Sequence, residues 1–359
     1  MIRSLARREA LESIPYRAED VRGNLLRLDL NENSYPPSPK VLERIAEAAR
    51  GCNWYPRPSM MRQLAERLAE YAGCNADYVL PTCGSDEAIE LVCKAFLERG
   101  DRVVTVSPTF AMYRFYSRVQ GAEVVEVPLE PPNYDIGDGF LEKASEAKVV
   151  FLCNPNNPTG NLIVDERLVR ELLDGERLVV VDEAYYEFSE VSFAKLVEDY
   201  SNLVVLRSLS KSFSIAGLRV GYCIACPETL EVLFNVKPPF TITSVSIAAA
   251  LGALEDVEHM KRNVERIAYW RDRLVSEINS LDGLRCLPSK SIFACFTCRE
   301  LKIANVELVE RLKRRGILVK ALPRKPWFED FVRVTVAREE ENLRFLEVLR
   351  GVVEELRGS

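Results

Sequence analysis

The chain has 359 residues, of which 47% are hydrophobic and 28% charged, and its formal net charge is −6. This length allows a large core and about two domains, and the acidic balance offers no basic surface for nucleic acid. No apolar stretch approaches the roughly 20 residues that a membrane span requires, and the N-terminus lacks the apolar core of a signal peptide. We therefore expect a cytoplasmic protein that binds small molecules rather than nucleic acid or a membrane.

The ten cysteines are interpreted as structural side chains. Thiols stay reduced in the cytoplasm, so disulfides are not expected. The closely spaced pairs Cys223/Cys226 and Cys295/Cys298 lie in apolar runs, and positions three apart along a strand point to opposite faces. We therefore expect small buried side chains here and no metal site.

Residues 1–50 are predicted to form an N-terminal arm and part of a smaller domain. The arm contains Leu28-Asp-Leu-Asn-Glu-Asn33, and Pro36-Pro-Ser-Pro39 then caps a helix that continues to about Arg50. Tyr55 follows in the proline-flanked turn Trp54-Tyr-Pro-Arg-Pro58. This turn is predicted to be rigid, because each proline fixes its own φ angle.

Residues 51–255 are predicted to form a large domain in which buried strands alternate with helices. This alternation is typical of an α/β fold with a mostly parallel sheet and helices on both faces. One predicted strand runs into Gly84-Ser-Asp86 at the start of a helix, where free backbone N–H groups favour an anion. The alternative is an ordinary helix cap by Ser85.

Two further strands end in polar residues, at the edge where open α/β sheets bind ligands. The strand over residues 149–152 precedes Asn154-Pro-Asn-Asn-Pro-Thr-Gly160, which contains Asn157. The strand over residues 178–181 runs into Asp182-Glu-Ala-Tyr185. A carboxylate in that place is costly unless it meets a cation or a proton donor. The alternative is that Asp182 caps the next helical turn.

Lys211 is predicted to lie on a turn between two strands. A lysine presented into a cavity loses solvation, and a nearby cation lowers its pKa further, which makes it an amine that captures carbonyl groups. Ser208, Ser210 and Arg219 lie close to it in the sequence and could hold a phosphate, because hydroxyl and guanidinium donors match phosphate oxygens. The alternative is a solvated, serine-rich surface loop.

Residues 256–359 are predicted to form a smaller α+β domain that closes over the large one, completed in part by the N-terminal arm. The predicted elements are a helical stretch to residue 281, strands over residues 284–287, 292–297, 317–320 and 331–336, and helices over residues 304–315 and 339–356.

Together, the polar strand ends supply what pyridoxal 5′-phosphate (PLP) requires. A lysine binds the aldehyde, an aspartate keeps the pyridine nitrogen protonated, and an amide and a phenol hydrogen-bond the ring oxygen. Serines, an arginine and a helix N-terminus take the phosphate. Any one of these features is weak, whereas four of them in this order indicate the cofactor.

With these motifs, the chain resembles the class I/II aminotransferases, which are PLP-dependent transferases of fold type I, over essentially its whole length. Asn154–Gly160, Asp182–Tyr185 and Ser208-Leu-Ser-Lys211 with Arg219 carry the resemblance. Within that group the arm sequence Leu28–Asn33 is similar to the N-terminal signature of the histidinol-phosphate aminotransferase family. The resemblance implies a mostly parallel large-domain sheet with helices on both faces and a smaller α+β domain.

The resemblance also implies residue roles. Lys211 would carry the cofactor as a Schiff base and then move the proton between substrate and cofactor, while Asp182 would hold the pyridine nitrogen. Arg333 would clamp the substrate α-carboxylate. The other cofactor contacts would be Asn157 and Tyr185 on the ring oxygen, Phe110 on the ring face, and Gly84, Ser85, Asp86, Ser208, Ser210 and Arg219 at the phosphate. Tyr55 would reach that phosphate across the interface of a homodimer with shared active sites.

Four functions remain open at this point. The first is transfer of the amino group of histidinol phosphate to 2-oxoglutarate in histidine biosynthesis. The others are a broader aromatic aminotransferase, a threonine-phosphate decarboxylase, and a non-catalytic PLP-binding regulator. Arg333 favours transamination, because it would hold the carboxylate in the plane of the ring. A substrate phosphate would need a second cation, for which Arg324 is the first candidate and Tyr16 and Arg17 are weaker ones, with Asn157 also facing the substrate.

Overall fold

The structure is a computed structural model, and it describes residues 2–13 and 25–358. Its helices are α1 (Ile2–Leu5), α2 (Arg8–Glu12), α3 (Pro39–Ala49), α4 (Pro58–Ala72), α5 (Gly84–Phe96), α6 (Ala111–Gln120), α7 (Phe140–Ser145), α8 (Glu166–Leu173), α9 (Tyr186–Ser189), α10 (Pro227–Asn235), α11 (Ser244–Leu254), α12 (Val257–Asn279), α13 (Asn305–Arg314) and α14 (Glu339–Gly358). Its strands are β1 (Leu26–Arg27), β2 (Val79–Thr82), β3 (Arg102–Ser107), β4 (Glu123–Glu130), β5 (Asp135–Ile136), β6 (Val149–Cys153), β7 (Leu178–Asp182), β8 (Leu203–Ser208), β9 (Gly221–Ala225), β10 (Arg285–Cys286), β11 (Phe293–Thr297), β12 (Ile317–Leu318), β13 (Lys320–Ala321) and β14 (Phe331–Thr335).

The main sheet has eight strands in the order β2-β9-β8-β7-β6-β3-β4-β5. Strands β3, β4, β6, β7 and β8 run parallel to their neighbours among themselves, whereas β9 is antiparallel to both β8 and β2. Every residue of β6, β7 and β8 is buried, as expected for strands covered on both faces. The predicted α/β fold with a mostly parallel sheet is therefore confirmed.

The register of the central strands explains where the site lies. Cys153, the last residue of β6, pairs with Asp182, the last residue of β7, and Asp182 in turn pairs with Leu206 of β8. Because the three strands are parallel, their carboxyl ends meet at one edge of the sheet. The polar segments that follow them are therefore brought together at that edge.

Smaller sheets lie beside the main one. Four antiparallel strands follow the order β10-β11-β14-β13, and β1 pairs in parallel with β12. The prediction of one strand over residues 317–320 is wrong, because the chain changes partners at Val319. Leu318 before it pairs with the arm, and Lys320 after it pairs with Arg333. The arm thus adds a strand beside the C-terminal part of the chain, and the three domain limits stay predictions.

Local sequence signals account for the ends of several helices, whereas some other helices were not predicted from the sequence. Ser38 caps α3 by accepting a hydrogen bond from the Lys40 N–H, as its proline-rich segment predicted. Helices α1, α2, α7 and α10 were not predicted. The two arm helices bury no residue, so they carry no apolar periodicity to detect.

None of the helices formed by the described residues is long and apolar enough to cross a bilayer. The cysteines of the two closely spaced pairs are free thiols. Cys223, Cys295 and Cys298 are buried, as predicted, and Cys226 is half-buried.

Candidate active site

A cavity of about 660 Å³ opens at the carboxyl edge of the main sheet, and β13 and β14 of the small sheet contribute to its wall. The predicted residues that line it are Ser85, Asp86, Phe110, Asn157, Asp182, Tyr185, Ser208, Ser210, Lys211, Arg219, Arg324 and Arg333. The structure therefore brings together most of the side chains that the sequence singled out. Tyr16 and Arg17 lie outside the described residues.

Asp182 lies at the buried end of this cavity and is only 3% exposed. Its Oδ2 accepts a hydrogen bond of 2.7 Å from the Tyr113 hydroxyl, and its Oδ1 accepts one of 3.0 Å from the Ala184 N–H. Burial raises the pKa of Asp182 to about 6, although Tyr113 and Ala184 both oppose this rise. The carboxylate thus has the proton-donor partner expected for its position. The cap residue of α9 is Tyr185, so the alternative, in which Asp182 caps the next helical turn, is wrong.

Tyr113 is a site residue for which no role was predicted from the sequence. It is fully buried on α6, its ring stacks on Phe151, and the Phe110 ring packs edge-on against it at 5.6 Å. Its bond to Asp182 joins residues 69 positions apart. Such a contact leaves no local signal in the sequence.

Lys211 lies on the turn after β8 and points into the cavity, where its Nζ donates a hydrogen bond of 3.3 Å to the Leu30 carbonyl. Burial lowers the pKa of Lys211 to about 8, with a further lowering from the nearby Arg333 guanidinium. The predicted lowering by desolvation and a cation is confirmed. Asn33 supports the turn, because its Nδ2 donates to the backbone carbonyls of Lys211 and Ser212.

The start of helix α5, Arg219 and Ser210 form a group of hydrogen-bond donors at the cavity. Helix α5 begins at Gly84, and its cap residue Cys83 gives no side-chain hydrogen bond, so the first N–H groups are not taken by a cap. Ser85 is therefore not the cap. Arg219 lies against this helix start: its Nη2 bonds to Asp86 Oδ2 at 3.0 Å and its Nη1 to Ser210 Oγ at 3.4 Å.

Gly84 is required at this place for two reasons. Its φ angle is +74°, which L side chains rarely adopt, and a Cβ atom there would lie 2.6 Å from the Arg219 Nη2 atom. The close approach keeps the guanidinium beside the free N–H groups of the helix. Guanidinium, serine hydroxyls and helix N-terminus together fit a phosphate group.

Arg333 is held in a fixed orientation from two sides. Its Nη1 donates a hydrogen bond of 2.6 Å to Asn157 Oδ1, and its Nη2 donates one of 2.7 Å to the Asp29 carbonyl. Because a guanidinium only donates hydrogen bonds, Asn157 must present its oxygen to Arg333 and direct its amide N–H groups elsewhere. A bidentate clamp on a carboxylate is the usual use of such a fixed guanidinium.

Tyr185 is oriented by the arm. Its hydroxyl accepts a hydrogen bond of 3.0 Å from Asn31 Nδ2, and burial raises the pKa of Tyr185, so the phenol stays protonated. Asn31 adopts the left-handed conformation, with φ +54°, and its own N–H is bound by Thr335 Oγ1. Asn31 belongs to the arm motif, but the sequence did not predict this contact.

Two cationic side chains that line the same cavity as Arg333 differ in whether acidic neighbours already balance their charge. The Arg324 side chain is 57% exposed and lies 3.8 Å from Glu329 and 3.5 Å from Asp330, so acidic neighbours already partly balance it. Lys320 lies directly opposite Arg333 in the pairing of β13 and β14, which places both side chains on the same face of the sheet. Lys320 lines the cavity and forms no ion pair with the residues that the structure describes. The sequence missed it.

Tyr55 does not line the cavity of its own chain. It is 77% exposed and stacks on Phe240, which is 55% exposed, with 4.6 Å between the ring centroids. Trp54 beside it is 75% exposed. Exposed aromatic side chains that lie together, as Tyr55 and Phe240 do, are common at protein–protein interfaces.

The donor set fits a planar cofactor that carries a phosphate at one end and a basic ring nitrogen at the other. A buried aspartate, a lysine with a lowered pKa and an anion-binding helix start line the same cavity, and a phenylalanine offers an apolar face between them. An amine with this pKa is substantially neutral near pH 8 and can attack an aldehyde. The fixed guanidinium of Arg333 at the cavity wall fits a carboxylate.

Comparison with known proteins agrees with this reading. A family model described as aminotransferase class I and II matches residues 23–349. The histidinol-phosphate aminotransferase of Symbiobacterium thermophilum is 39% identical over 341 residues, which cover 92% of this chain and 91% of the relative. The enzyme of that name from Thermococcus gammatolerans is also 39% identical, and the match covers 94% of both chains.

A solved structure is similar over nearly the whole fold. The histidinol-phosphate aminotransferase from Sinorhizobium meliloti, crystallised in complex with pyridoxal-5′-phosphate, has a TM-score of 0.89 and 26% identity. The match covers 96% of this chain and 97% of that one.

Proposed function

The chain belongs to the aminotransferases of class I and II, and on this premise we propose that it transfers the amino group of histidinol phosphate to 2-oxoglutarate. It is a PLP-dependent transferase. The observation that carries the proposal is the meeting of three groups in one cavity: a buried acid, a lysine of lowered pKa and a clamped arginine. Beside that arginine lies a second cation, Lys320, which has no ion pair within the described part of the chain.

PLP, when bound, supplies an aldehyde for the amino group and a protonated ring that stabilises negative charge at the substrate Cα. We assign Asp182 to the ring nitrogen, because a carboxylate that is buried and already oriented by Tyr113 costs no reorganisation when it meets a cation. Asn157 and Tyr185 are assigned to the ring oxygen. The N–H groups at the start of α5, Ser208, Ser210 and Arg219 are assigned to the phosphate.

Lys211 is the proposed proton carrier. With a pKa of about 8 its Nζ can exist both as a free amine and as an ammonium near neutral pH, which is the condition for accepting and returning a proton at substrate Cα. Arg333 orients the substrate by its α-carboxylate. A carboxylate held in this way leaves the Cα–H bond free to break, which favours transamination over decarboxylation.

The phosphate of the substrate is assigned to the wall formed by β13 and the loop after it. Arg333 can neutralise one anion. Arg219, Ser208 and Ser210 are already assigned to the phosphate of the cofactor. Lys320 stands beside Arg333 without an ion pair among the described residues, and Arg324 lines the same cavity. Lys320 is now the stronger candidate, because Arg324 would have to leave its acidic neighbours.

A homodimer with shared active sites is also proposed. Tyr55 is exposed, does not line the cavity of its own chain and stacks on the exposed Phe240. Burying these aromatic side chains against a second copy is favourable, at about 25 cal/mol for each Å² of apolar surface. The cytoplasmic location stays a prediction from the sequence.

A panel of amino donors tests the function. Histidinol phosphate, histidinol, phenylalanine, tyrosine and threonine phosphate are each supplied with 2-oxoglutarate, and both glutamate formation and CO₂ release are measured. Histidinol phosphate should give the highest kcat/KM, by about tenfold or more over histidinol, as expected for a lost charge-assisted contact. A preference for free phenylalanine would indicate an aromatic aminotransferase, and CO₂ release from threonine phosphate would indicate a decarboxylase.

A further inference from the structure

A group of buried polar side chains lies under the turn that carries Lys211. We call it the Glu187 cluster, and it consists of Tyr71, Glu187, Arg207, Ser212 and Tyr222. Arg207 and Ser208 are successive residues of β8 and so point to opposite faces of the sheet; Ser208 lines the cavity and Arg207 does not. The cluster therefore belongs to the far side of the sheet from the cofactor site.

Glu187 is the centre of this group and is 9% exposed. Its Oε1 accepts a hydrogen bond of 3.2 Å from the Tyr71 hydroxyl. Burial raises the pKa of its carboxyl, and the positive charge of Arg207 and the Tyr71 hydroxyl oppose that rise. The Tyr71 ring packs edge-on against Phe213, two residues after Lys211, with 5.4 Å between the ring centroids. Tyr222 is directly opposite Arg207 in the β8–β9 pairing.

Arg207 is itself immobilised. Its Nε donates a hydrogen bond of 2.7 Å to Glu183 Oε2, its Nη2 bonds to Ser192, and its Cζ lies 3.4 Å from the centroid of the Tyr186 ring. The guanidinium is thus paired with the buried carboxylate of Glu183, and its charge also opposes the rise in the pKa of Glu187. A guanidinium fixed in this way gives Glu187 a rigid neighbour.

The cluster is costly for the stability of the fold. Among the described residues, Arg207 Nη1, Glu187 Oε2, Ser212 Oγ and Tyr222 OH are buried and have no hydrogen-bond partner. Buried polar groups that lack a partner reduce stability, and well-packed apolar side chains often replace such ionic clusters without loss. Stability of the fold therefore gives no reason for a carboxyl group at this position.

The position of Glu187 in the chain offers a reason for the presence of a carboxyl group there. It follows Asp182 by five residues and Tyr185 by two, and Ser212 of the cluster directly follows Lys211. The cluster thus joins the segment that holds the ring of the cofactor to the turn that carries the lysine. Asn33 binds the same turn from the other side, through the carbonyls of Lys211 and Ser212.

We propose that Glu187 is a positioning residue for the transamination. Through the hydroxyl of Tyr71, whose ring packs against Phe213 beyond Lys211, it fixes the turn that carries Lys211 relative to the segment that carries Asp182. It touches neither substrate nor cofactor and acts through the placement of the Lys211 amine. This inference rests on the proposed role of Lys211.

The test compares Glu187→Gln and Glu187→Met with the matched control Glu190→Gln, which alters an exposed glutamate at the end of the same helix. Four quantities are measured: kcat per cofactor-loaded site, KM for both substrates, the thermal unfolding midpoint, and the titration of Lys211 in the apoprotein. The titration follows the pH dependence of acetic anhydride labelling at Lys211, quantified by mass spectrometry, and needs no bound cofactor.

Glu187→Met should lower kcat per loaded site by about tenfold or more, because a displacement on the order of 1 Å between reacting groups costs that much or more. KM for both substrates should stay within about twofold, and the labelling midpoint of Lys211 should move by about half a pH unit or more. Glu187→Gln still accepts the Tyr71 bond, so its loss should be smaller. Glu190→Gln should match the wild type.

A merely structural Glu187 gives a different pattern. In that case the unfolding midpoint changes, while kcat per loaded site and the Lys211 midpoint stay within about twofold and about 0.2 pH units of the wild type, and the inference is overturned. If Glu187→Met does not fold, Glu187→Gln decides by the same criteria. Failure of the proposed function is recognised separately, because Lys211→Ala would then still bind PLP covalently.

Discussion

Removing the Tyr113 hydroxyl should raise the pKa of Asp182. In the structure the hydroxyl donates a 2.7 Å hydrogen bond to Asp182 Oδ2, in full burial. This bond stabilises the ionised carboxylate, so its loss in Tyr113→Phe favours the protonated acid. The phenylalanine keeps the ring that stacks on Phe151, so the change is confined to one hydroxyl group.

The expected size of the pKa shift follows from the free energy of the hydrogen bond between Tyr113 and Asp182. Hydrogen bonds to charged groups contribute about 1.5–3 kcal/mol, and one pKa unit corresponds to about 1.4 kcal/mol. The pKa of Asp182, about 6 in the wild type, should therefore rise by about 1–2 units in the variant. At pH 7 the acid would then be at least half protonated, and PLP affinity at that pH should fall.

The same shift changes how the stability of the apoprotein depends on pH. A folded-state pKa of about 6 lies above the value of about 3.9 for an unfolded aspartate, so the folded chain binds the proton more tightly. The contribution of Asp182 to stability is therefore fully present below about pH 4 and is lost as the pH rises through 6. In Tyr113→Phe the loss should continue to about pH 7–8.

The assay is carboxyl-carbon NMR of the apoprotein labelled at aspartate, with the Asp182 signal assigned by comparison with Asp182→Asn. Urea unfolding between pH 5 and 8 gives the stability change independently. Tyr116→Phe is the matched control, because Tyr116 lies on the same helix and makes no hydrogen bond to Asp182 among the described contacts. An Asp182 pKa that stays at the wild-type value, or falls, in Tyr113→Phe would refute the assignment of this bond.

Three further predictions follow from the site. Asp182→Asn should keep PLP but lower kcat by a barrier on the order of 3 kcal/mol or more, because an amide cannot hold the pyridine nitrogen protonated; near-normal kcat would contradict the assignment. Mixing inactive Tyr55→Ala with inactive Lys211→Ala should restore some activity if sites are shared between subunits, and no recovery after verified subunit exchange would count against the homodimer. Lys320→Met should raise KM for histidinol phosphate by about tenfold, and Arg324→Ala by less, whereas KM for glutamate should change little; equal changes for both substrates would place the phosphate elsewhere.

The sequence predicted those parts of the site that follow directly from strand ends. Asp182 stands immediately after an apolar strand, and Lys211 and Arg219 lie on the connection between two more. Because parallel strands end at one edge, a reader of the sequence can place such residues together without knowing the register. The α/β fold and the cofactor were predictable for the same reason.

The missed residues depend on contacts that no local pattern records. Tyr113 reaches Asp182 from a helix, and Asn31 reaches Tyr185 from the arm. The proposed role of Lys320 is recognised only after β13 and β14 are paired in register, because this role depends on its position opposite Arg333. The prediction of one strand through residue 320 obscured this, since the switch of partners at Val319 is a tertiary event.

The most direct measurement of the central claim is a half-reaction without 2-oxoglutarate. The PLP-loaded enzyme is mixed with histidinol phosphate, and its near-visible absorption is followed. The band should be lost with a stoichiometry of one substrate per chain and should return when 2-oxoglutarate is added, while histidinol at the same concentration should react far more slowly. A band that phenylalanine discharges and histidinol phosphate does not would contradict the account.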